Sequence, residues 1–376
     1  MLLPSPFCLL PFRSRASIAR GTDWRLAVPD AQRRRLRRWF WSIAAATVAV
    51  LIVGGITRLT QSGLSIVDWQ PVMGVVPPLD DAQWTAAFDR YRQFPQYQLG
   101  PGISLGEFKA IFFWEYLHRL VARAIGLIVL VPFALFWRAG YLPRPLAGRA
   151  AGLFALVLLQ GLVGWLMVKS GLIDRPSVSH YRLALHLGIA FVILGYATWL
   201  ARDLADPAGR PIASAAENPR AEVRGLVLIG ALLTAQIVWG AFVAGLKAGL
   251  FFNTFPLMGG QLVPTGVFAL DPAASNLVQN PITVQWMHRL LGTMLLVSCA
   301  GLFLFMRRSA DGAGRRLSTA LLTVVGFQYL LGALTLIYRV PVILAVSHQA
   351  MAAIVIGVWV VWLHRALAGV GEVPHR

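Results

Sequence analysis

Acidic residues are scarce in this chain, 16 Asp and Glu against 34 Lys and Arg. Charged residues of both signs make up only 13% of its 376 positions, while 57% are hydrophobic. That balance excludes an ordinary soluble globular domain. The net charge of +18 raises nucleic acid as a partner, but the Arg residues are parcelled beside apolar runs, which is the positive-inside pattern of a membrane protein. No nucleic-acid function is expected. Cysteine is almost absent: Cys8 and Cys299 stand alone and far apart, which excludes a disulfide framework or a zinc site. No flavin or NAD fingerprint occurs either, so any reducing equivalents must be delivered from elsewhere.

What is present is a series of long apolar runs, about 39–59, 110–137, 150–168, 181–201, 225–246, 282–306, 317–338 and 342–363. Each is long enough for a transmembrane helix, so the expected fold is all-α and integral to a membrane, with eight spans. Arg33, Arg34, Arg35, Arg37 and Arg38 precede the first run; Arg138, Arg144 and Arg149 follow the second. Arg202, Arg210, Arg220 and Arg224 follow the fourth, and Arg307, Arg308, Arg315 and Arg316 the sixth. The other connections are poor in Lys and Arg, so both termini are expected to be cytoplasmic. A matrix-side orientation in an organelle, with Arg13–Arg25 in a presequence, is the alternative. The division expected is a basic cytoplasmic tail at 1–38, a four-helix half at 39–201, a cytoplasmic linker at 202–224, a second half at 225–363 and a cytoplasmic tail at 364–376.

The halves repeat. Glu115-Tyr-Leu-His118-Arg119 opens the second run and Gln285-Trp-Met-His288-Arg289 the sixth. Gln160-Gly-Leu-Val-Gly164 in the third run matches Gln328-Tyr-Leu-Leu-Gly332 in the seventh, and Ser62-Gly63-Leu64 after the first matches Ala248-Gly249-Leu250 after the fifth. Both halves begin on the same side, which predicts a parallel tandem repeat of two four-helix bundles. The repeat sets His118 beside His288 in role, and His186 beside His348. His186 and His288 fall about 8–9 Å into their helices at 1.5 Å per residue, so the imidazoles share one layer on the outer side. A single membrane histidine often only hydrogen-bonds to a neighbouring helix. Four at equivalent depths in two repeats suit two couples, each clamping one haem iron. His180, His364 and His375 have no counterpart in the other half and are not expected to be ligands.

Glu115 against Gln285 is the asymmetry that carries chemistry. Each stands one turn before its His-Arg pair, but only the carboxyl can take or release a proton. Chemistry is therefore expected in the first half and a fixed cofactor in the second, with a structural Glu115–Arg119 or Glu115–Arg123 pair as the alternative. Arg119 and Arg289 are candidates to pair with haem propionates, or to reach Glu115 or phospholipid. Gly54-Gly55, Gly161, Gly164, Gly240 and Gly332 permit close helix approach and room for a macrocycle. Trp39, Trp41, Trp137 and Trp362 suit interface anchors. The external 60–108 segment, aromatic at Trp69, Trp84, Tyr91, Phe94 and Tyr97, is a candidate lid over the first pocket, and 247–281 a cap over the second.

At Gly54-Gly-Ile-Thr-Arg-Leu-Thr-Gln-Ser-Gly-Leu-Ser, Glu115-Tyr-Leu-His-Arg, His186, Trp286-Met-His-Arg and Ser347-His-Gln, the chain resembles the haem A synthases, proteins of cytochrome oxidase assembly. The resemblance runs from about Leu51 to His364. It implies eight helices, with His118, His186, His288 and His348 as the metal ligands and Glu115 as the essential glutamate. It also implies a reaction in which a ring methyl of haem O is oxidised, through a hydroxymethyl haem, to the formyl group of haem A. Substrate haem O is then placed between His118 and His186, with Glu115 at the reacting site. A haem b prosthetic group is placed between His288 and His348. Two axial histidines leave no vacant position on an iron, so either a ligand on the substrate side lets go or oxidation proceeds at the macrocycle edge. No cysteine lies in an external loop, which suits the proteobacterial and mitochondrial branch and excludes a thiol relay there. The resemblance further implies a bacterial inner membrane, a farnesyltransferase (haem O synthase) that supplies substrate, assembly factors that take product, and an external electron donor. A homo-oligomer is also compatible with the small-residue faces. The competing expectation is a non-catalytic di-haem electron-transfer protein. A transporter gives no reason for four histidines in one layer.

Overall fold

The computed structural model describes Trp24 and residues 28–67, 73–100, 102–171, 178–205 and 218–370. Eleven α-helices are formed by these residues: α1 (Asp30–Leu59), α2 (Asp81–Tyr91), α3 (Pro95–Gln98), α4 (Leu105–Arg138), α5 (Arg144–Gly171), α6 (His180–Asp203), α7 (Pro219–Gly245), α8 (Asn276–Gln279), α9 (Pro281–Met306), α10 (Gly312–Ile337) and α11 (Val342–Val370). Eight of them, α1, α4–α7 and α9–α11, are long and apolar enough to cross a membrane. Among the described residues there is no β-sheet, only one isolated bridge between Met258 and Gln261. Cys8, His375, Arg210 and the Asp68–Pro71 stretch lie outside the described residues.

The helices overrun their apolar stretches because polar caps set their ends. Ser104 accepts from Glu107 N while the Glu107 carboxylate accepts from Ser104 N at 2.8 Å, a capping box that starts α4 five residues before the apolar run. Asn280 accepts from Ile282 N ahead of Pro281, and Asp311 from Ala313 N ahead of α10. The first span begins at Asp30 rather than at residue 39, so the Arg33–Arg38 stretch is helical. Thirty residues reach about 45 Å at 1.5 Å each, well beyond a hydrocarbon core of about 30 Å, so the arginine end projects from it.

The apolar core gathers toward that Arg-rich end. Leu36, Phe40 and Ile43 of α1 share one buried cluster with Leu146 and Leu153 of α5, Leu200 of α6, Leu226 and Ile229 of α7 and Trp362 of α11, all essentially fully buried. The four candidate histidines lie outside this cluster, toward the helix ends joined by the 60–104 and 246–280 connections. Two of the expected interface tryptophans belong to it instead. Trp39 and Trp362 are 5% and 1% exposed, and their indole N–H groups donate to Ile128 O at 2.8 Å and to the Glu222 carboxylate at 2.6 Å. A tryptophan can be buried wherever its N–H finds an acceptor. Trp41 and Trp137, at 42% and 57% exposed, do face outward.

Buried acids near the Arg-rich end are paired. Asp203 takes Arg149 at 2.6 Å and His364 at 2.9 Å, joining α5, α6 and α11. Asp311 takes both arms of the Arg365 guanidinium at 2.7 and 2.8 Å. Burial alone would raise the Asp311 pKa, but the Arg365 hydrogen bonds and the backbone amides after it hold the carboxyl below its ordinary value. Its ionised form is therefore favoured by folding, and that contribution is present above the unfolded pKa near 3.9 and is lost as pH falls through the lower folded value. We expect Asp311→Asn to cost about 3 kcal/mol at neutral pH by stranding Arg365. Thermal unfolding in detergent should show the gap from wild type closing as pH falls below about 4.

At the end away from the Arg-rich cluster, α2 packs on the first turns of α4. Trp84 meets Phe112 edge-on at 5.0 Å, Tyr91 meets Phe108 at 5.1 Å, and the Lys109 ammonium lies 5.2 Å over the Trp84 ring. This aromatic cluster covers the end of the helix that carries Glu115 and His118. The 247–281 connection is tied to the helices by Asn253 donating to Leu336 O at 2.8 Å and by the Trp286 indole donating to Leu262 O at 2.9 Å.

Candidate functional site

Each of the four histidines lies against a glycine of the preceding long helix. A Cβ built on Gly54, Gly164, Gly240 or Gly332 would sit 2.9 Å from Cε1 of His118, His186, His288 or His348 respectively. Real Cβ atoms do not approach so closely, so only glycine lets these rings press on the neighbouring backbone. The arrangement recurs four times, on α1–α4, α5–α6, α7–α9 and α10–α11. Gly161, by contrast, has nothing within 4 Å of a Cβ position.

Three of the four glycines share a second feature that sequence reading did not single out as a site. A glutamine stands four residues earlier, and its side-chain nitrogen lies 3.4 Å from the histidine Nε2: Gln160 at His186, Gln236 at His288 and Gln328 at His348. The spelling Gln-x-x-x-Gly inside an apolar run was its signal, at Gln160–Gly164, Gln236–Gly240 and Gln328–Gly332. At His118 the corresponding position, four before Gly54, is Val50. His348 is further held through Nδ1, 3.1 Å from the Gln328 carbonyl. A hydrogen bond of this kind makes Nδ1 the donor and fixes the tautomer, so the Nε2 lone pair that the Gln328 amide faces here is the one a metal would take.

The spacing in the second half tests whether one iron fits. His288 and His348 have ring centres 6.5 Å apart with planes at 83°. Two metal–imidazole bonds of about 2 Å, with about 1.2 Å from each nitrogen to its ring centre, span about 6.4 Å. The ring-centre separation therefore matches what two imidazoles on one iron would need. His118 and His186 are also close enough to interact electrostatically. Among the described residues no group of three or more His, Cys, Asp or Glu converges; a two-histidine site needs none.

Glu115 is 2% exposed and is held from two sides. Its Oε2 accepts from the Ser65 hydroxyl at 2.7 Å and from Ile66 N at 2.8 Å, and its Oε1 from the Arg119 guanidinium at 2.7 Å. Arg119 also donates to Ile66 O at 2.8 Å. The carboxylate thus clamps the connection after α1 onto α4, and the Glu115–Arg119 pair expected as the alternative is present. In the second half Gln285 donates to Phe252 O at 2.9 Å, and Arg289 to Phe252 O and Thr254 O at 2.9 and 2.7 Å. Both arginines therefore hold loop carbonyls. Arg58, one turn beyond Gly54, makes no side-chain hydrogen bond or ion pair among the described residues and so leaves a cation on the α1 face nearest His118. Outside these couples, His180 rests on Tyr181 and Phe242, and His364 is taken by Asp203.

Residues 37–360 match the family model described as cytochrome oxidase assembly protein. A relative named heme A synthase from Nitrosospira multiformis is 41% identical over 360 residues, 95% of this chain and 99% of that protein. Those from Rhodospirillum centenum and Chelativorans sp., named likewise, are 46% and 45% identical over 93% and 87% of this chain and 91% of their own lengths. The chain belongs to the haem A synthase family. Its eight apolar helices and bacterial relatives agree with a multi-pass protein of the inner membrane. The haem A synthase resemblance drawn from the motifs is thereby established at the level of family, with oxidoreductase-type enzymatic activity.

Proposed function

We propose that this chain oxidises a ring methyl of haem O, through a hydroxymethyl stage, to the formyl group of haem A. Its architecture for that task is two similar four-helix halves, α1 and α4–α6 followed by α7 and α9–α11. His118 and His186 bracket substrate haem O in the first; His288 and His348 bracket haem b in the second. The observation that carries the reading is the fourfold glycine–histidine apposition, together with a 6.5 Å couple that suits one iron. Bound haem supplies the redox iron that side chains lack. The protein's part is to hold the imidazoles, to exclude water with the aromatic cluster around Trp84 and Phe108, and to keep one carboxyl, Glu115, beside the substrate couple. Ser65 is the hydroxyl through which a proton can pass to or from Glu115 Oε2. Arg58 is the cation available to a propionate of the substrate, whereas Arg119 and Arg289 act mainly on the loops.

In this reading both termini face the cytoplasm and the histidine layer lies toward the external side. Substrate comes from the farnesyltransferase that makes haem O, electrons from an external donor, and product passes to cytochrome oxidase assembly factors. Co-expression with a haem O-producing partner, followed by pigment extraction and mass measurement, tests it. A formylated farnesyl haem is the expected result. Folded protein carrying two unaltered haems would instead make it a di-haem electron carrier.

A further inference from the structure

Gly54 and Gly55 are consecutive on α1, and each receives a side chain from a different neighbour. His118 of α4 presses on Gly54, while a Cβ on Gly55 would meet Nε2 and Cδ of Gln349 from α11 at 3.1 and 3.4 Å. Gln349 Nε2 donates to Leu51 O, one turn before Gly55, at 2.5 Å. A carbonyl in mid-helix already serves its own helix. It can take a second donor here because Gly55 has no side chain to cover it. Neighbouring residues on a helix diverge by about 100°, so Gly54 and Gly55 address α4 and α11 separately. On α11 the same divergence sends His348 toward Gly332 of α10 and Gln349 toward α1. A continuous path of touching groups results: His118, Gly54, Gly55, Gln349, His348.

We infer that Gln349 is a positioning residue for the opposite half, setting the attitude of His118 by anchoring α11 on the Leu51–Gly55 turn of α1. The inference rests on the assignment of both histidine couples as haem sites. It makes the second half a structural determinant of the first, beyond any electrons it passes. Leu51, Gly55 and Gln349 are the residues concerned.

The test uses the full-length chain in detergent with haem loaded by co-expression. Low-spin ferric signals are read by electron paramagnetic resonance, and total haem by pyridine haemochrome. The signal lost in His118→Ala identifies the first-half haem. Gln349→Ala should retain total haem near the wild-type level yet shift that first-half signal. Gly55→Ala should shift it as well. The two changes together should be non-additive, since the added methyl enters space that the shortened side chain leaves. A first-half signal unmoved by Gln349→Ala, with both haems present, overturns the link while leaving the haem assignment intact. Strictly additive shifts in the double variant overturn it too. A wild-type protein with no bis-histidine signal would overturn the haem assignment and this inference with it. Should Gly55→Ala fail to assemble, Gln349→Ala, which only removes atoms, decides the matter alone.

Discussion

Alanine in place of His288 or His348 is expected to abolish retention of the second haem, leaving at most the pigment of the first half. Ring centres stand 6.5 Å apart, against about 6.4 Å for two imidazoles on one iron. Loss of either ring would remove one of the two imidazoles that would hold the iron. The sharper form of this prediction leaves both ligands in place. Gly240→Ala and Gly332→Ala add one methyl 2.9 Å from Cε1 of His288 and His348, on backbone that cannot recede. The imidazole must rotate or translate, and changes in the support of a metal ligand typically cost 10–100-fold in affinity. Haem content by pyridine haemochrome should therefore fall in both glycine variants, with Gly332→Ala the more severe because His348 also loses its 3.1 Å register on the Gln328 carbonyl. Gly161→Ala, facing open space, is the matched control and should retain haem. Full haem content in Gly240→Ala and Gly332→Ala would show that the rings do not hold iron as assigned.

The spans were legible from hydropathy alone, because a lipid environment demands about twenty apolar residues in a row and little else in a chain imitates that. Their ends were not. α4 begins at Leu105 because Ser104 and Glu107 cap each other, and α11 runs on to Val370 beyond its apolar stretch. The four glycines could be named as small-residue positions. Which glycine meets which histidine is a matter of packing between helices, and neither 3.6-residue periodicity nor repeat alignment specifies it. The repeat did hold the clue in Gln160, Gln236 and Gln328, each four before its glycine, with Val50 breaking the series. Trp39 and Trp362 were misplaced for a similar reason. An indole is equally suited to an interface or to a buried acceptor, and Ile128 O and Glu222 lie 89 and 140 positions away. The partners of Glu115 were hidden likewise, Ser65 being 50 residues upstream.

Glu115→Gln should lower formation of the formyl product by about 10²–10⁴-fold, the range lost when a positioned acid–base group is removed, while haem in the second half is retained. Two effects are combined in that substitution. The carboxylate accepts from Ser65 and Ile66 N on one oxygen and from Arg119 on the other. An amide can accept on one side only, so its NH2 must face a donor on the other, and Arg119 loses its counter-charge in a low-dielectric setting. The connection after α1 would then loosen, because Glu115 and Arg119 both hold Ile66. A clamp and a proton carrier thus predict the same single-variant result, and the double variant separates them. Glu115→Gln with Arg119→Gln removes the stranded charge and restores a neutral pair able to hydrogen-bond. If Glu115 serves only as a clamp, the double variant recovers product; if it moves a proton at the substrate couple, product stays absent although thermal stability returns. The second outcome is expected, since Gln285 and Arg289 show that a glutamine is sufficient to anchor the equivalent loop where no chemistry is assigned. A carboxyl kept in the first half is then explained by what it does to protons, and the mass of the extracted pigment in the double variant decides the point.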